Sequence, residues 1–287
     1  MGYLYEAIAM QQRAKRCQQQ WQSHYEQCQY QVEQALARLS AASLSVENAL
    51  EDVWILGAGS LKDIPLAKLS KTFKRVFLVD LVFLDSAQKL SCRYSNVFLV
   101  RADISGRLQQ VYLQPQQVSL LATPEFTADA DGFLRALLAQ NQHSSQECQK
   151  IRPIAIPKSV TAEQVSLIVS MNVATQLPLI PLRWLKSHTD LTDDFLQNYA
   201  EQLLLDHLSI LQAFPQSTLK LLVADRLVLD RALPQKNGNY SATEETDPWW
   251  GVMPPRADIF WEWEIVPKAE SGGKLVQTNQ VGASFFY

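Results

Sequence analysis

Along the first 40 or so residues the apolar positions fall at helical spacing. Tyr25, Cys28, Val32 and Leu36 recur at steps of three and four in a Gln- and Ala-rich stretch without proline. Residues 3 to about 40 therefore read as one or two packed amphipathic helices, with a polar connector, SAASLSVEN, at 40–48. The period then changes. Val53–Gly57 (VWILG) is a continuous apolar run ending in glycine, the mark of a strand buried on both faces. A helix is predicted over Leu61–Phe73, a second buried strand over Arg75–Leu81, a helix over Phe83–Cys92 and a third strand over Asn96–Val100. Such alternation predicts a parallel α/β sheet.

Residues 106–164 are less legible, with a helix predicted at Gly132–Gln142 and an exposed loop at QNQHSSQECQK (140–150). Val165–Val173 reads as a fourth strand running into a loop. Asp194–Phe214 reads as a long helix, with Thr192, Asp193 and Asp194 suited to its start and His207 on its apolar face. Leu219–Leu229 is the fifth strand, and 231–257 is loop-like, including KNGNYS and DPWWGVMPP. Ile259–Val266 alternates bulky and acidic residues and Val281–Tyr287 closes the chain, so the last two strands are expected as an antiparallel edge hairpin. The organisation expected is a helical segment at 1–50 packed on a single domain at 51–287.

Composition narrows the class. With 287 residues, 47% hydrophobic and 19% charged, the chain has the apolar surface that a disordered protein lacks. Its net charge of -3 supplies no basic field for nucleic acid. Cys17, Cys28, Cys92 and Cys148 are scattered with no C-x-x-C pair, which favours a reducing, cytoplasmic setting over a zinc or disulfide framework. The N-terminus lacks the apolar core of a signal peptide. The least charged stretch, Val165–Leu185, carries Asn172, Gln176, Arg183, Pro178 and Pro181 and so is not expected to span a membrane.

Candidate chemistry sits at the ends of the first three strands. Gly57-Ala58-Gly59 offers a bend where a ligand can approach bare main chain. Asp80 closes the second strand about 20 residues beyond Gly59, the offset at which an acid accepts hydrogen bonds from ribose hydroxyls. Asp103 follows the third strand in ADISG. Each alone is weak, since a tight turn, a helix cap and a loop carboxylate account for them; their succession points to a nucleotide-like ligand. Lys62 stands where a dinucleotide fingerprint wants a third glycine, and no phosphate-loop sequence occurs. Lys71, Lys74 and Arg75 read as a solvated basic cluster.

The stretches LGAGSLKDIPL, VDL and ADISG, with W-x-W at Trp261 and Trp263, resemble the class I S-adenosylmethionine-dependent methyltransferases, and more narrowly one bacterial branch of them, from about Trp21 to the C-terminus. The resemblance implies a Rossmann-like three-layer α/β sandwich, with a seven-stranded, mostly parallel sheet and an antiparallel C-terminal strand. It implies S-adenosylmethionine over the glycine turn: Leu56, Gly57, Ala58 and Gly59 at the methionine part, Asp80 and Leu81 at the ribose, Asp103 and Ile104 at the adenine. Ser170, Met171 and Asn172 would flank the methyl-donor region. Family members carry an acid two residues before the first glycine, near the methionine ammonium; here that position is Ile55, with Asp63 a substitute. Trp21 and His24 are read as a lid, Gln176 as lining the acceptor site, and Trp249 and Trp250 as closing its pocket. His24, His188 and His207 are the candidate bases, and Cys92 and Cys148 are read as inert. The expected activity is methyl transfer to an unknown small-molecule or protein acceptor. A non-catalytic relative is the alternative, supported by Ile55, and a nicotinamide-dependent oxidoreductase, disfavoured by Lys62, is a third. Oligomeric state is open.

Overall fold

The computed structural model describes residues 2–42, 50–113, 129–148, 160–233 and 243–287. Within them, two N-terminal helices, α1 (Gly2–Arg16) and α2 (Gln18–Ala42), precede the strand–helix alternation. Strands β1 (Leu50–Leu56), β2 (Phe73–Asp80) and β3 (Val97–Arg101) are separated by the short helices α3 (Leu66–Thr72) and α4 (Asp85–Ser91). Helices α5 (Leu108–Leu113) and α6 (Ala130–Cys148) lead to β4 (Val165–Met171). Then come α7 (Leu179–His188), α8 (Asp193–Ala213) and β5 (Leu219–Ala232). The chain ends with β6 (Thr243–Thr246), β7 (Ile259–Val266) and β8 (Leu275–Phe286).

The sheet runs β3-β2-β1-β4-β5-β8-β7, with the short β6 added beside the far half of β5. The first five strands in that order are parallel, and β8 lies antiparallel between β5 and β7. Continuous apolar runs make this possible because both faces are covered. Val53 and Ile55 point to one side, against Cys28, Val32 and Leu36 of α2. Trp54 and Leu56 point to the other, against Phe133 and Leu137 of α6 and Leu204, Leu208 and Leu211 of α8. The result is the three-layer α/β sandwich of Rossmann-like type that the resemblance implies, built on the parallel sheet that the alternation predicts. From β1 the chain moves outward through β2 and β3, then crosses back to β4 and β5. The crevice between the carboxyl ends of β1 and β4 is thus a topological switch point, where such sheets bind ligands.

Several local expectations are corrected. The first helix after β1 starts at Leu66, not Leu61, because Gly59 (φ 41) and Leu61 (φ 62) hold the chain in a left-handed turn as far as Pro65. The loop expected after the fourth strand contains α7: Pro178 caps it and Pro181 falls in its first turn, where helical N–H groups have no partner to lose. The loop expected at 140–150 is instead the end of α6 as far as Cys148, since Gln, Ser and Glu without glycine or proline can continue a helix. The 231–257 stretch includes β6, and the last strand begins at Leu275, six residues before the expected Val281. Residues 43–49 of the connector and KNGNYS lie outside the described residues.

Charged residues at the sheet's lower end are also paired. Arg75, expected in a solvated cluster, donates to both oxygens of fully buried Asp52 (2.6 and 2.7 Å) and to Gln164, while Lys74 pairs with Glu51. No helix among the described residues is long and apolar enough to cross a membrane.

Candidate active site

A cavity of about 910 Å³ opens at the carboxyl ends of the strands, roofed by α1 and α2. That volume lies within the range of small-molecule sites. The two glycines of the first turn serve it differently. Gly57 (φ 82) is pressed against the end of β4: a β-carbon there would sit 2.5 Å from the Met171 carbonyl oxygen and 2.6 Å from Val173 Cβ. Gly59 faces the cavity, where a β-carbon would meet nothing nearer than Asp80 Oδ2 at 3.6 Å. Both Gly57 N–H and Ala58 N–H donate to the Val79 carbonyl, so the turn is tied to β2.

Asp80 joins two strand ends. Its Oδ2 accepts from Gly59 N–H (2.8 Å) and its Oδ1 from Val82 N–H (3.1 Å). Burial pushes this carboxyl upward and the backbone donors oppose the push. The backbone donors do not exhaust the acceptor capacity of the carboxylate, and Asp80 lines the cavity. Asp103 also lines it but is more committed: Oδ1 accepts from Ser105 N–H and hydroxyl, and Oδ2 from Leu108 N–H, fastening the start of α5. Leu81 and the buried Ile104 complete this wall. Because α3 begins only at Leu66, its N-terminus is not part of the glycine bend, contrary to the tight strand–turn–helix expected.

Not every expected residue reaches the cavity. Leu56 and Ala58 are fully buried behind it. Ser170 points to the opposite face, where its hydroxyl meets His207 Nε2 at 2.8 Å. His207 is enclosed there, and burial lowers its pKa to about 4. His188 is exposed and stacked on Trp184. The adjacent tryptophans part ways. Trp249 is buried in the core, donating to the Asp225 carbonyl (2.7 Å), whereas Trp250 (φ 54) lines the cavity. Gln176 is exposed at the cavity wall. Cys92 is a free thiol, and the side chain of Cys148 lies outside the described residues.

Met171, Asn172, Trp21 and His24 are brought together under α2. Asn172 adopts a left-handed backbone (φ 51), tolerated by its short polar side chain, and its amide reaches His24 Nε2 (3.2 Å) and Asp63 Oδ2 (3.4 Å). His24 lies flat on Trp263 (centroids 3.9 Å apart), and Trp21 meets the same ring edge-on. Trp261 Nε1–H donates to His24 Nδ1 (3.1 Å), so that ring nitrogen is already used as an acceptor. Burial lowers the His24 pKa to about 3. With its basic nitrogen occupied, His24 shapes the site and is a poor proton acceptor.

The carboxylates of this region titrate high. Burial pushes Asp63 up to about 7, with the charge of Asp80 adding to the effect. Asp225, at the cavity wall on β5, is pushed up to about 6 by burial, opposed by the polar ends of Asn279 and Thr175. Sequence reasoning missed Asp225 and Asn279. The signal for Asp225 was a carboxylate directly after the apolar run of LKLLVAD; Asn279 becomes relevant only once β8 is placed beside β5. Among the described residues no His, Cys, Asp and Glu cluster is arranged to hold a metal.

No family model matches the chain and no curated protein matches it. Solved structures with distant similarity include the N-methyltransferase NodS from Bradyrhizobium japonicum in complex with S-adenosyl-L-homocysteine (12% identity, 87% of this chain and 86% of that one, TM-score 0.29). Another is the glycopeptide N-methyltransferase MtfA complexed with S-adenosyl-L-methionine (12% identity, 86% and 75%, TM-score 0.30). A third is a precorrin 8W decarboxylase from Methanobacterium thermoautotrophicum (9% identity, 87% and 89%, TM-score 0.29). Similarity this distant carries no weight on activity, cofactor or acceptor.

Proposed function

We propose that this protein is a methyltransferase using S-adenosylmethionine. The observation that carries the reading is Asp80, held between the Gly59 and Val82 N–H groups at the end of β2 and at the wall of a large cavity, where a carboxylate would accept from two ribose hydroxyls. The residues present fit the cofactor. Asp103 and Ile104 offer a partly polar, partly apolar wall for an adenine. Gly57 and Gly59 leave main chain bare beside the methionine part, backed by Leu56 and Ala58. Ile55 is fully buried and offers the ammonium nothing; Asp63, held near Asn172, takes that role. The bound cofactor supplies an activated methyl on a sulfonium, so the protein's task is alignment and exclusion of water. Trp21 and His24 roof that region, Met171 and Asn172 flank it, and Gln176 and Trp250 stand toward the acceptor.

The acceptor is a small molecule or a protein, and the free, buried Cys17 and Cys28 suit a cytoplasmic setting. Isothermal titration of S-adenosylhomocysteine into the full chain tests the reading: one saturable site is expected, and no heat at millimolar ligand overturns it. Asp80→Ala should weaken that binding more than tenfold, about 1.4 kcal/mol, whereas unchanged affinity removes Asp80 from the ribose. Ile55 also favours a second reading, a cofactor-binding module without turnover. Binding with no methyl transfer to any acceptor in a cell extract would select it.

A further inference from the structure

The cavity extends beyond the proposed cofactor wall, along the face of β5, β8 and β7 beneath α2. Polar side chains that line that part have buried atoms without a hydrogen-bond partner among the described residues: Asp225 Oδ1, Asn279 Oδ1 and Trp263 Nε1, with Asp230 Oδ1 and Thr175 Oγ1 on the same lining. Asn279 and Trp263 are 4% and 5% exposed, so no neighbouring group of the described residues and little open solvent reaches their orphaned atoms, which face the cavity. Asp225, Asn279 and Trp263 are neighbours. Trp263 and Asn279 are directly paired across β7 and β8, and the Asn279 amide lies close enough to Asp225 to favour its charged form.

A buried carboxylate ordinarily carries a cationic partner, because an isolated charge out of water is costly. No described Lys or Arg forms an ion pair with Asp225, Asp63 or Asp80, whereas buried Asp52 is paired with Arg75 and Asp206 with Arg107. Asp225 Oδ1 and Asn279 Oδ1 are hydrogen-bond acceptors on one wall. A group with several N–H donors and a positive charge satisfies both at once; a hydroxyl has one donor, and a carboxylate would be repelled. Leu177, Ile180 and Trp250 line the adjacent wall and offer an apolar surface to the rest of such a ligand.

We propose that this part of the cavity is the acceptor site and that the acceptor is an amine with an apolar body, bound through its nitrogen by Asp225 and Asn279. The proposal rests on the methyl-transfer reading for the fate of the amine, though not for its binding. An ammonium has no lone pair and cannot accept a methyl group, so it must first lose a proton. Asp225 takes that proton. The lone pair thus freed forms the N–CH₃ bond while the donor's C–S bond breaks and its electron pair returns to sulfur, giving a neutral thioether. The methylated nitrogen carries the positive charge, and the proton held by Asp225 passes to water. The Trp263 N–H, the orphaned donor of the set, is satisfied by an oxygen on the same ligand or by water displaced toward the opening.

Ligand-observed NMR on the full chain tests this without turnover. The probes are butylamine with butanol and phenethylamine with phenethyl alcohol, together with hydrocinnamate as the anion, each without any cofactor present. We expect saturation transfer to an amine, with at least about tenfold weaker binding of its alcohol counterpart and of the anion, and loss of amine binding in Asp225→Asn. Equal binding of amine and alcohol in the wild type, or binding of none of the five, overturns the proposal, and neither result depends on a variant folding. Titration of S-adenosylhomocysteine into Asp225→Asn separates the two readings. Unchanged cofactor affinity beside lost amine binding supports an acceptor site; weakened cofactor affinity means that Asp225 serves the methionine ammonium instead and overturns it. Should wild type bind amine but no S-adenosylhomocysteine, the amine site stands and the methyltransferase reading falls.

Discussion

Single residues here separate packing duties from binding duties, and the two glycines of LGAG show it best. Gly57→Ala combines a left-handed backbone with a β-carbon driven into the Met171 carbonyl, so it should destabilise the fold by about 2–4 kcal/mol in urea unfolding. Gly59→Ala adds only ordinary contact and roughly 1 kcal/mol of backbone strain. Its methyl group faces Asp80, so its larger effect should be on S-adenosylhomocysteine affinity. Equal loss of stability in both variants would contradict this division. Asp63 gives a pH signature. Its carboxyl is raised from the ordinary 3.8 to about 7 by burial. Between those values the folded chain holds a proton that the unfolded chain releases, so its contribution to stability falls as pH rises and levels off above about 7. Asp63→Asn should therefore be more stable than wild type at about pH 8, and the difference should shrink toward about pH 4. A difference independent of pH would show that Asp63 is not raised. What the sequence reveals at this scale are residues whose position follows from strand ends: Gly59, Asp80, Asp103. It cannot tell that Trp249 turns into the core while Trp250 turns to the cavity, because that split depends on a left-handed backbone at the second tryptophan.

The elements that hold the site differ in how firmly they are fixed. Helix α2 buries Trp21, Cys28, Val32 and Ala35 against the sheet and meets β7 through contacts of Trp21 and His24 with Trp263 and of His24 with Trp261. Helix α1 leaves Tyr5 74% exposed, and Met10 and Lys15 line the cavity. Its tie to the β7–β8 turn is the exposed fork of Arg16 on Glu270 (2.7 and 2.8 Å), a screened contact. Amide exchange should accordingly be fast in α1 and slow in α2, and S-adenosylhomocysteine should slow α1 selectively. Equal protection of both helices without ligand would mean that α1 is part of the rigid frame. These elements were legible to different degrees for a common reason. Strands buried on both faces announce themselves as apolar runs, so β1, β2, β4 and the start of β5 are readable. Helix α7 was not, because prolines usually mark loops and are silent only in a first turn, and the four exposed residues of β6 carry no alternation to read.

For the molecule as a whole, the decisive property is that its site does not exist in any one segment. Gly59, Asp80, Asp103 and Asn172 converge only when β1 to β4 are assembled in the order that places β1 beside β4. A ligand that needs all four binds the folded chain and not the unfolded one, so its binding free energy adds to global stability as RT ln(1 + [L]/Kd). Above Kd each tenfold increase in S-adenosylhomocysteine should then add about 1.4 kcal/mol, which for a single domain of this size raises Tm by about 2 °C. Asp80→Ala should show the same slope displaced to about tenfold higher ligand, because it weakens binding without changing what binding is coupled to. A Tm that ignores ligand over a thousandfold range would mean that the strand ends, although brought together, hold no nucleoside. A rise in wild type that Asp80→Ala leaves in place at the same concentrations would put the ligand elsewhere in the molecule.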